Sequence, residues 1–146
     1  MTSGTNAGFG RRLAAGIYDA LLLFGVLMVY TAILLFLTHG HAVLGETVGA
    51  SWASLYRVSL LLVTGAYFVG NWMHSGQTLG MRAWRLHAVD TGGRRLRLGP
   101  ASLRFLMALC AWIPAALGVL WLYLDPERLA LQDRLSATRV LYVPGR

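Results

Sequence analysis

Lysine is absent from this chain and acidic residues are scarce: 6 aspartates and glutamates stand against 13 basic residues, all arginine. Charged residues make up only 13% of the 146 positions, where an ordinary soluble domain carries roughly 25%. With Cys110 as the single cysteine, an intramolecular disulfide and a cysteine-rich metal cage are excluded. It lies in an apolar run, which suits a small buried hydrophobe. No basic domain and no strip of arginines interleaved with aromatics is present, so nucleic acid is not an expected partner. Nor do a nucleophile, a base and an orienting acid fall into a catalytic spacing, so no enzyme and no cofactor are expected. His39 and His41 with Glu46 sit in a segment rich in small residues and read as solvated side chains, not as metal ligands.

What the chain has in abundance is apolar length, with 56% of its residues hydrophobic. The stretch Leu13 to Leu37 carries Asp19 as its sole charge and exceeds the roughly 20 residues that span a hydrocarbon core. A cleavable signal peptide has a shorter apolar region, about 7 to 15 residues, and ends at a small-residue cleavage site that is not evident here. A second span runs from Leu55 to Met73, with Tyr56 and Trp72 as interfacial anchors and Arg57 near enough to one end to snorkel. A third apolar segment covers Leu103 to Leu124 and is interrupted by Pro114 and Gly118.

Residues 75–100 change character. Trp84, Leu86 and Ala88 alternate with Arg85, His87 and Val89, and Leu96 and Leu98 alternate with Arg95 and Arg97 around Asp90-Thr91-Gly92-Gly93. The period of two predicts a short basic β-ribbon, and the Asp-Thr-Gly-Gly run supplies turn chemistry, not a phosphate loop. The tail, 125–146, reads as a short helix to about Ala137 and then an extended end. The expected architecture is one domain over 1–146: an all-α integral membrane protein with two transmembrane helices, a third kinked or re-entrant segment, and a β-ribbon between the second and third.

Arginines set the expected orientation, because short cytoplasmic loops are enriched in them. Arg11 and Arg12 precede the first span, the next loop has none, and Arg82, Arg85, Arg94, Arg95 and Arg97 follow the second. The amino terminus and the ribbon are therefore expected in the cytoplasm. A full third crossing would export a tail carrying Arg128, Arg134, Arg139 and Arg146. Two forms remain open, a kinked crossing that breaks the arginine pattern and a re-entrant hairpin near Pro114; the pattern leans to the hairpin.

A carboxylate two turns into a span marks a pairing or functional site by default, which singles out Asp19. Arg12 lies seven residues earlier on the same helix face, about 10 Å away along the axis, too far for a direct bond without a leaning side chain or a bridging group. Gly16 lies between them with Ala14 and Ala15 beside it, small residues that let another helix come close. Asn71 and His74, at the end of the second span, are the expected polar neighbours of Asp19.

Four segments taken in order resemble a known family. Arg11-Arg12-Leu13-Ala14-Ala15 leading to Asp19, then Gly76-Gln77-Thr78-Leu79-Gly80-Met81, then Arg104, then Leu131 to Val140 with Asp133, are similar to the RDD family of bacterial membrane proteins. The family is named for an arginine and two aspartates, which fall on Arg12, Asp19 and Asp133. The chain has Gln132 where the family usually has His or Gly, and Ser136-Ala137 where it usually has Ala-Gly. The resemblance implies a multi-pass protein of the bacterial inner membrane, transport of unidentified ligands and, in some members, sodium/proton exchange.

Two functions follow as expectations. In one, a transporter or cation/proton exchanger uses Asp19 as its carboxylate, with Arg12 acting on it electrostatically and Asp133 pairing or gating on the cytoplasmic side, a meeting that requires the tail to return to that side. Three short segments enclose no solute path alone, so a homo-oligomer goes with it. In the other, a non-transporting scaffold uses Arg94, Arg95 and Arg97 to contact anionic lipid or a protein partner.

Overall fold

The computed structural model describes residues 4–39, 50–112 and 131–144. Pro114, Gly118, His41 and Glu46 lie outside these residues, and with them the course of the third apolar segment and the metal reading of the 38–54 loop. Strand β1 (Thr5–Asn6) leads into α1 (Phe9–Leu37), α2 (Ala50–His74) and α3 (Leu79–Ala83). Then follow β2 (Leu86–Asp90), α4 (Leu98–Trp112), α5 (Leu131–Leu135) and β3 (Thr138–Tyr142).

α1 and α2, at 29 and 25 residues, are long and apolar enough to cross a membrane. Their large apolar side chains face outward, as lipid requires and water does not tolerate: Leu21 is 67% exposed, Phe24 65%, Leu62 68%. Several hydroxyls in and just beyond these helices are satisfied internally. Thr38 and Thr64 bond the carbonyls of Leu34 and Leu60 one turn back, and Thr31 bonds Tyr56 Oη at 2.8 Å. This internal pairing is what a helix in hydrocarbon needs.

By contacts the chain forms two compact units, Ala20–Tyr67 and the described parts of Met1–Asp19 with Phe68–Arg146. The second holds a three-stranded antiparallel sheet in the order β1-β3-β2. Leu86 pairs with Tyr142 and Asp90 with Thr138, while Thr5 pairs with Tyr142 and Asn6 with Leu141. Its core joins Ala7, Ala15, Trp72, Met81, Leu86, Ala88, Leu96, Ala101 and Val140, with Phe68 lying 5.5 Å from Trp72 and 6.2 Å from Phe105 between ring centroids. The recurrence of alanine here lets backbones approach closely.

The chain is mostly helical, and its sheet differs from the expected ribbon in how it is paired. β2 forms where alternation predicts it, but its partner is the tail, not the second arm of a ribbon. That arm contributes one bridge, Val89 to Arg95, across a turn in which Asp90 Oδ1 accepts from the Gly92 and Arg94 amides at 2.8 Å. The arm ends because α4 starts at Leu98, with Pro100 in a first turn whose amides have no intrahelical acceptor to lose.

β2 and β3 are preceded by matching pieces. α3 and α5 each span five residues, and each is followed by two residues, the second left-handed: Arg85 at φ 55° and Ala137 at φ 50°. The Arg85 amide bonds Arg82 O at 3.2 Å, and the Ala137 amide bonds Arg134 O at 3.4 Å. A helix–turn–strand piece thus occurs twice, and the two copies pair antiparallel. His87, on β2, is partly buried, and desolvation holds its imidazole below the ordinary 6.5. Because the fold prefers the neutral ring, its contribution to stability is present above about pH 6.5 and is lost as the pH falls through the lowered value. His87→Gln should flatten the melting profile between pH 7 and pH 5; an unchanged slope would assign that acid sensitivity elsewhere.

Candidate functional site

Asp133 is fully buried on α5 and accepts from two guanidiniums: Arg12 Nη1 on Oδ2 and Arg104 Nη1 on Oδ1. α1 delivers Arg12 from its first turn, where Nε also bonds Ala7 O at 3.0 Å and Nη2 reaches Val140 O at 3.4 Å. α4 delivers Arg104, which is 6% exposed, bonds Thr138 Oγ1 at 2.6 Å and packs its guanidinium carbon 5.0 Å from the Trp72 ring centroid. Ser136 Oγ closes the network on Thr138 Oγ1 at 2.8 Å. Burial alone would raise the Asp133 carboxyl, but Arg104 and then Arg12, by charge and hydrogen bonds, outweigh it and hold the pKa below the ordinary value. The group is therefore an ionised carboxylate bracketed by two cations.

Asp19, 4% exposed, has a separate set of partners. Thr78 Oγ1 donates to Oδ2, and the Gly80 amide donates to Oδ1 at 2.9 Å. Thr78 is also the N-cap of α3, its Oγ1 accepting from the Met81 amide at 3.2 Å, so the same hydroxyl caps the helix and ties it to α1. Close approach is possible because Gly80 lacks a side chain: a Cβ there would stand 2.2 Å from Ala15 O and 2.9 Å from Asp19 Cγ.

The sequence-level cluster of Arg12, Asp19 and Asp133 is thus divided. Arg12 belongs with Asp133, and Arg104, expected beside the cluster, is the second cation on Asp133. The small residue that permits close packing is Gly80, since a Cβ at Gly16 would meet nothing within 4 Å. Asn71 offers its main-chain carbonyl to Ser75 Oγ, and His74 offers its own to Arg95 Nη1 at 2.9 Å. Thr78, Gly80, Ser136 and Thr138 lie inside the motif segments, but their spacing alone gives no hint of which carboxylate each serves.

The other described arginines are exposed, Arg57 on α2 and Arg134 on α5 among them. Arg11, Arg82, Arg85, Arg94, Arg95, Arg97 and Arg139 are exposed, and among the described residues the ion pairs are the two on Asp133. Arg11 lays its guanidinium over the Tyr142 ring at 3.7 Å from the centroid. No group of three or more histidine, cysteine or acidic side chains suited to a metal occurs among the described residues.

A family model described as the RDD family matches residues 6–137. No curated protein and no solved structure matches the chain.

Proposed function

The chain belongs to the RDD family, a membrane protein with two candidate spans, and from that premise we propose that it is a membrane-embedded scaffold whose arginine-rich unit contacts anionic head groups. One observation carries this reading: the two family carboxylates are engaged internally, while exposed Arg11, Arg85, Arg94, Arg95 and Arg97 have no acidic partner among the described residues. A cation/proton exchanger needs a carboxylate that releases its proton and meets a cation. Asp133 sits between two positive charges, and Asp19 is buried with an amide and a hydroxyl donating to it. The exchange reading rests on the burial of Asp19. It predicts that Asp19→Asn abolishes cation-driven proton flux in proteoliposomes, whereas the scaffold reading predicts no flux in wild type or variant.

The three strands lie on one side of the bilayer in this reading. β1, β2 and β3 come from the amino terminus, the ribbon and the tail, and strands that exchange main-chain hydrogen bonds occupy one compartment. In this reading that side is the cytoplasmic face of a bacterial inner membrane, which the distribution of arginines supports. In a Cys110→Ser background, cysteines introduced at Gly8, Thr91 and Pro144 should all react with an impermeant maleimide in inverted vesicles and none in right-side-out vesicles. A Pro144→Cys protein labelled from the opposite side to Thr91→Cys would overturn the shared-side topology.

Lipid contact is tested by native mass spectrometry of the detergent-purified protein. Arg94, Arg95 and Arg97 changed together to glutamine should lower retention of phosphatidylglycerol but not of phosphatidylethanolamine, at unchanged melting temperature. Equal retention of both lipids would remove the basic ribbon from the reading.

A further inference from the structure

We infer that a shallow groove beside the ribbon, lined by Arg11, Ala83, Trp84, Arg85 and Tyr142, is a specific site for the phosphate of an anionic phospholipid; the lipid class rests on the head-group reading above. The groove measures about 200 Å³, room for a phosphate and its glycerol attachment, and no acidic side chain lines it. Both arginines are exposed and lack a carboxylate partner among the described residues. Tyr142 covers one face of the Arg11 guanidinium, at 3.7 Å, which fixes the plane and leaves its N–H edge for an oxyanion. Planar guanidiniums bind phosphate oxygens in pairs, so two on one groove give a directional site and not just a diffuse positive field.

Backbone conformation supplies an independent observation. Arg85 is left-handed at φ 55°, a conformation that costs a β-carbon-bearing residue energy and costs glycine nothing. It is held by its amide on Arg82 O and by its carbonyl, which accepts from the Val143 amide at 3.1 Å. These bonds use only the main chain, so the fold itself asks nothing of the arginine side chain, which projects as a free cation on the groove.

The groove's depth selects a lipid over free phosphate. Arg11 is the third residue of α1, and the next turns of that helix expose Leu13, Ile17, Tyr18 and Leu21. A side chain at the first turn of a spanning helix lies at head-group level, and Trp84, 38% exposed, is a residue of that same interface.

The test is calorimetric titration of the full chain in neutral detergent with dioctanoyl phosphatidylglycerol, dioctanoyl phosphatidylcholine and inorganic phosphate. Saturable binding of one phosphatidylglycerol per chain is expected, with affinity falling about tenfold in Arg11→Gln and in Arg85→Gln, the loss of a charge-assisted contact. Arg85→Gly keeps the fold by relieving the left-handed strain, so it should lose binding while its melting temperature holds or rises. Binding of phosphatidylglycerol that survives Arg85→Gly and Arg11→Gln overturns the site. If those variants bind normally while the Arg94/Arg95/Arg97 variant fails, the head-group reading stands and the groove does not. Inorganic phosphate binding as tightly as the lipid would overturn the lipid assignment.

Discussion

Gly80→Ala is expected to be among the most damaging single substitutions in this chain, costing about 1–3 kcal/mol or more and lowering the yield of monodisperse protein. The new Cβ would sit 2.2 Å from Ala15 O and 3.0 Å from the Asp19 amide nitrogen, main-chain atoms of α1 that cannot rotate aside. Relief requires the 78–83 turn to move away from α1. That movement breaks the Gly80 amide bond to Asp19 Oδ1 and the Thr78 hydroxyl bond to Oδ2, leaving a buried carboxylate without its donors. Two comparisons isolate the cause. Gly16→Ala places its Cβ in open space and should melt with the wild type. Ala15→Gly should not rescue Gly80→Ala, because the obstacle at residue 15 is its carbonyl oxygen and not its methyl group. A Gly80→Ala protein that melts with the wild type would mean that α1 and the turn do not approach as described.

Asp133→Asn should cost about 3–5 kcal/mol, because it leaves two largely buried guanidiniums facing each other across a neutral amide. Their side chains are 12% and 7% exposed, so water does little to screen the repulsion. The penalty belongs to the abandoned charges and not to the net worth of the pairs. Arg12→Met, Arg104→Met and Asp133→Leu made together should therefore recover much of the stability lost by Asp133→Asn alone. Acid separates the same effect in the wild type. The folded carboxyl is held below the ordinary 3.8, so its contribution is fully present above about pH 3.8 and is lost as the pH falls through the lower folded value. Asp133→Asn removes that component, and its melting temperature should change less than that of the wild type as the pH drops from 5 to 3. Parallel profiles would assign acid sensitivity to other groups.

How much of this was readable in advance depends on the range of the interaction. The spanning helices are legible because hydrocarbon thickness imposes a count on consecutive apolar residues, and α1 and α2 meet it. β2 is legible from the alternation at 84–89, and the Asp90 turn from its residue types. The partner of β2 is not, since the register from Leu86 to Tyr142 joins segments more than 50 residues apart and local pattern carries no long-range register. The ionic site divides the same way. Pairing of Arg12 with Asp133 is readable only on condition that the tail returns, and the sheet supplies that condition. The claim of Arg104 on Asp133, and of Thr78 and Gly80 on Asp19, depends on how α4 and the 78–80 turn are oriented, which periodicity does not encode.

The strand order has a consequence for the order of synthesis. β3 is the middle strand, flanked by β1 and β2, yet it is the last of the three to leave the ribosome. Until residues 138–142 have emerged, β1 and β2 have no common neighbour, and Arg12 and Arg104 wait without the carboxylate that joins them. The nascent chain therefore carries its two long apolar helices while the sheet is still open, and a single late event closes sheet and charge cluster together. A ribosome halted before that event would carry an inserted but unlatched protein, with two bare strand edges and two uncompensated cations for quality-control proteases to recognise.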